Sequence, residues 1–128
     1  MAMQDGKDIR IKGELYAEIQ ALQNNYATIN GYIAGKEYDS LEVVGTLQVF
    51  RDTLNRISSQ ILTLYQIKGQ KTKITWELLL ANIDNALETM KASAHPNPRA
   101  ALELALNMSE PNANDVMIYM SKLKESLQ

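Results

Sequence analysis

Residues 43–64 read VVGTLQVFRDTLNRISSQILTL, and their spacing decides the fold. Val43, Leu47, Phe50, Leu54, Ile57, Ile61 and Leu64 recur at alternating intervals of four and three. Apolar side chains at that interval fall on one stripe of an α-helix, whereas a half-buried strand needs them at every second position. Asp39 and Glu42 form a capping-box-like start, since carboxylates near a helix N-terminus are favoured by its free N–H groups and dipole. Gly69 closes the helix with a residue able to take the left-handed conformation.

On the N-terminal side, Leu15, Ile19, Leu22, Tyr26, Ile29 and Ile33 repeat the pattern in a helix from about Ile9 to Ala34, ended by Gly35. Two long seamed helices joined by a few residues predict an antiparallel helical hairpin. On the C-terminal side a third helix spans roughly Lys73 to Ser93, with Trp76, Leu80, Ile83, Leu87 and Met90 on one face. His95-Pro96-Asn97-Pro98 stops it, and Asn97-Pro98 opens the next as N-cap and first helical residue. That fourth helix runs to about Ser109 and buries Leu102, Ala105 and Leu106. After Glu110-Pro111-Asn112, a last helix from about Asn114 to Leu127 presents Val116, Met120, Leu123 and Leu127. The predicted fold class is all-α, a bundle of four to five helices with a long N-terminal antiparallel hairpin. Residues 1–8 read as a disordered polar tail and 9–128 as a single domain.

With 128 residues, 45% of them hydrophobic and 22% charged, the chain can build one substantial core. The net charge of −2 provides no global positive field to attract nucleic acid, so direct contact with it is not expected. Met1 to Asp8 lacks the apolar centre of a signal peptide. Apolar runs such as Leu78-Leu79-Leu80-Ala81 fall far short of the roughly 18 residues that cross a bilayer. A soluble, cytoplasmic protein is expected.

The chemistry-bearing residues point away from catalysis. With no cysteine and a single histidine, His95, in a proline-bounded turn, a zinc site has no ligand set. The Glu-x-x-His pair of carboxylate di-metal bundles is absent, as are phosphate-loop, dinucleotide and nucleophile-elbow motifs. Asp84 and Glu88, one turn apart, read as solvated surface carboxylates. Lys68, Lys71 and Lys73 read as a solvated loop around Gly69, without the aromatic interleaving of single-strand binders. The tyrosines and Trp76 fall mainly at helical spacing, as for core or interface packing, and Met90, Met108, Met117 and Met120 read as core filler. No catalytic residue, cofactor, metal or small-molecule ligand is expected.

One stretch breaks the usual surface pattern. Between Glu18 and Lys36 there is no charge at all, and from Thr53 to Ile67 only Arg56 is charged. Free helix surfaces carry Lys and Glu, and interfaces are depleted in them. Gln20, Asn24, Thr28 and Tyr32 are therefore the candidate contact residues, for a second copy or a heterologous helical protein.

Three segments, in order, also resemble a family. Gly35-Lys36-Glu37 and Leu41 lead to Phe50-Arg51-Asp52-Thr53-Leu54. Then come Ile83-Asp84-Asn85-Ala86-Leu87-Glu88 and Asn97-Pro98-Arg99-Ala100-Ala101-Leu102-Glu103. The order is similar to that in the C-terminal collar domain of bacterial DNA polymerase III clamp-loader subunits of the gamma/tau and delta-prime type, over roughly residues 31 to 110. The resemblance implies an oligomerisation module that packs side by side in a ring, with Arg51, Asp52, Arg99 and Glu103 orienting helices or bridging neighbours. Two other readings stand beside it: a phage or viral structural or accessory bundle, and a nucleic-acid-binding domain using the lysine loop.

Overall fold

The computed structural model describes residues 2–35, 40–74, 76–92 and 98–127. Among these residues there are five helices and no strand: α1 (Ala2–Ile33), α2 (Ser40–Ile67), α3 (Glu77–Ala92), α4 (Pro98–Asn107) and α5 (Ala113–Ser126). The all-α bundle is as the spacing predicts. The Asp39 cap and the His95 and Asn97 turn lie outside the described residues.

All seven apolar residues of the α2 stripe are buried, five of them completely. They face Leu15, Ile19, Leu22 and Ile29 of α1 in one continuous core. The hairpin is antiparallel, because Arg56 meets Glu18, Phe50 meets Tyr26 and Glu42 meets Tyr32. At the C-terminal end of α1 the buried residue is Tyr32, while Ile33 is half-buried. The phenol can be buried because its hydroxyl donates to Glu42 Oε1 at 3.0 Å and lies 3.4 Å from Thr46 Oγ1.

Three boundaries differ from expectation. Residues 2–8 continue α1 instead of forming a disordered tail. Helix nucleation is the costly step and extension is cheap, so a helix anchored by its core face runs on, here with the Asp8–Lys12 pair at 3.2 Å. The third helix begins at Glu77, not Lys73, and Trp76 sits at its cap, its carbonyl accepting from Leu80 N. Leu79 rather than Leu80 is then the fully buried residue of the next turn. The fourth helix ends at Asn107, so Met108 lies beyond it, 65% exposed and not core filler.

α2 ends in a Schellman motif: Gly69 has φ +71°, Gln70 N donates to Tyr65 O at 2.8 Å and Gly69 N to Gln66 O at 3.0 Å. Gly69→Ala is expected to lower stability by about 1–2 kcal/mol, because an L side chain is penalised in the left-handed region although nothing crowds the site. Chemical denaturation checks this, and an unchanged midpoint would show that the cap is unimportant.

α3 packs along α2, α4 along α3 and α1, and α5 against α1 and α4. α5 starts in a capping box in which Asn112 Oδ1 accepts from Asp115 N and Asp115 Oδ2 from Asn112 N. Its docking onto α1 is tied at the surface by Gln23, which reaches Ser121 Oγ and accepts from Lys124 Nζ. No helix among the described residues is long and apolar enough to cross a membrane.

Candidate interaction surface

The α1 face is built from side chains left over after the seam is buried. Gln20, Asn24 and Thr28 are exposed, one turn apart, and exposed Ala17, Ala21 and Ala27 lie among them. Thr28 Oγ1 donates back to Asn24 O at 3.2 Å, which satisfies the hydroxyl within the helix. Tyr32 does not join this face. It is 2% exposed and belongs to the core, since residue 32 rotates toward α2 and finds partners for its hydroxyl there.

Arg51 and Asp52 are engaged inside the chain. Arg51 Nε donates to Asp84 Oδ1 at 2.9 Å and Nη2 to Asp84 Oδ2 at 3.5 Å, a fork between α2 and α3. Asp52 Oδ1 accepts from Arg51 Nη1 and from Gln48 Nε2, and Gln48 Oε1 accepts from Lys91 Nζ. The Asp84 carboxylate raises the pKa of the Arg51 guanidinium, first by hydrogen bonding and then by charge. Asp84 is thus a structural partner of Arg51, while Glu88 is exposed. Arg99 Nε donates to the carbonyl of Tyr32 at 2.7 Å, so a cation from the start of α4 closes the C-terminal end of α1, where the helix dipole favours it. Glu103 is exposed on α4. Arg51 and Arg99 thus link helices within the chain.

A second surface was not legible in the sequence. Between α3 and α4 lies a groove of about 260 Å³, floored by Ala86, Ala101 and Ala105 and flanked by Asn82, Asn85 and Thr89. Leu104 and Met108 stand at its edge, 60% and 65% exposed. None of its lining residues is charged. Thr89 Oγ1 donates to Asn85 O at 2.9 Å, again satisfying a hydroxyl within its own helix. Two large apolar knobs beside a floor of small residues can receive a helix from another protein. The signal available from sequence was weak: α4 is short, and a ten-residue helix packed by Leu102, Ala105 and Leu106 must leave Leu104 pointing outward.

Lys68, Lys71 and Lys73 are all exposed after α2. Among the described residues no group of three or more His, Cys, Asp or Glu side chains converges to hold a metal ion. Comparison of the chain with family models, curated proteins and solved structures finds no match, so the surface chemistry carries the functional reading.

Proposed function

We propose that the chain is a non-catalytic helical interaction module that docks another protein, or a second copy of itself, through charge-free surface. The observation that carries this reading is the uncharged α3–α4 groove with Leu104 and Met108 exposed at its edge. Interface cores are depleted in Lys and Glu, and neither lines this groove, while Glu103 stands on the outer side of Leu104 and Met108. The outer face of α1 from Gln20 to Thr28 supports the same reading, since it carries no charge. In its specific form the module packs side by side with like domains, as the collar resemblance implies.

Light scattering of the purified chain over a concentration series tests self-assembly. The expected result is a mass that rises with concentration. Leu104→Glu should return the protein to monomer if the groove is the contact, and Asn24→Lys should do so if the α1 face is. Both positions are exposed, so neither variant should lower the melting temperature appreciably. A monomer at every concentration removes the self-assembling form. If in addition no helical partner protects the groove from hydrogen exchange, the module reading fails.

A further inference from the structure

At the end of the bundle, the last turn of α2, residues 72–74 and the first turns of α5 line a cleft of about 350 Å³. That is the size of small-molecule sites. Three aromatic rings from three separate elements wall it: Tyr65, Trp76 and Tyr119. The Trp76 and Tyr119 rings are 5.8 Å apart and tilted by 56°. Trp76 Nε1 donates to Ser58 Oγ at 2.7 Å, so the indole, 4% exposed, is fixed as part of the pocket wall. Burial raises the pKa of the Tyr119 phenol, and the neighbouring Tyr65 adds to the shift.

Two opposite charges complete the lining, Lys73 and Asp115. Neither forms an ion pair among the described residues. Asp115 is held by the capping box through Oδ2, and its Oδ1 has no hydrogen bond within the described protein. The backbone of residues 71–74 likewise makes none. A simple cation would be attracted by the rings and Asp115 and repelled by Lys73. A simple acid would meet the reverse. A molecule carrying both charges around a flat apolar body suits the three rings and both charges.

We propose that this pocket binds a small zwitterion with a planar apolar side chain, of which an aromatic α-amino acid is the simplest member. The ring packs against Tyr65, Trp76 and Tyr119, in the tilted or offset arrangements aromatic groups prefer. The ammonium group turns to Asp115 and the carboxylate to Lys73. The site is separate from the α3–α4 groove and does not rest on the interaction reading.

Trp76 is the one tryptophan of the chain, so its fluorescence reports directly on the pocket. Titration with L-phenylalanine should give a saturable change in indole emission, with calorimetry as a second readout. Phenylalanine amide lacks the carboxylate and phenylpropionate lacks the ammonium, and each should bind about tenfold more weakly, as for one lost charge-assisted contact. Lys73→Gln should weaken phenylalanine by about tenfold and leave the amide unaffected. Asp115→Asn should weaken phenylalanine and leave phenylpropionate unaffected, with thermal melts confirming that the α5 cap survives. Absence of saturable binding by both readouts through the millimolar range overturns the proposal. Equal binding of all three probes also overturns it, since the pocket would then be merely apolar.

Discussion

Phe50→Ala is expected to lower the stability of the fold by about 3–5 kcal/mol. Phe50 is fully buried in the middle of α2 and lies 5.9 Å from the Tyr26 ring, tilted by 31°. Truncation removes both the burial of the ring and its pairing with Tyr26, and it opens a cavity between two long helices that cannot collapse independently. Leu54→Ala, one turn further along the same stripe, should cost about 2–5 kcal/mol. Urea denaturation measures both. A loss under about 1 kcal/mol at Phe50 would mean that the two helices are not packed face to face on this stripe.

Trp76→Ala should cost a similar amount, about 3–5 kcal/mol, for a different reason. Trp76 is 4% exposed although it lies outside any helix, at the cap of α3. It joins the α2–α3 connection to the core and to Tyr119 of α5, so its removal loosens three elements at once. Trp76→Phe separates packing from hydrogen bonding. It keeps an aromatic ring but removes the donor to Ser58 Oγ, and should cost only about 1–2 kcal/mol. If the two variants melt alike, the hydrogen bond and not the buried ring holds the connection.

The hairpin was legible because its signals are local. Four-three apolar spacing over seven residues of α2, and glycines able to take positive φ at Gly35 and Gly69, need no knowledge of the partner helix. Their angles, +113° and +71°, follow from a requirement to end a helix without steric cost. Boundaries were less legible, because they depend on what the rest of the chain covers. α1 reaches back to Ala2, and α3 waits until Glu77 while Trp76 is drawn into the core.

The candidate sites divide along the same line. The absence of charge between Glu18 and Lys36 is a property of composition, and the exposed positions of Gln20, Asn24 and Thr28 follow from it once the seam is assigned. Tyr32 could not be placed that way, since its burial depends on Glu42 and Thr46 from the next helix. The same holds for Arg99, whose partner is a backbone carbonyl 67 positions earlier.

The sequence by itself therefore determined the helices, their apolar faces and the hairpin, because periodicity and capping act within a few turns of one chain segment. Tertiary structure alone decided that Leu104 and Met108 flank a groove, and that Tyr65, Trp76, Tyr119, Lys73 and Asp115 share a pocket. Those surfaces are made by helices that meet only when the whole core is buried, so no local pattern of residues encodes them.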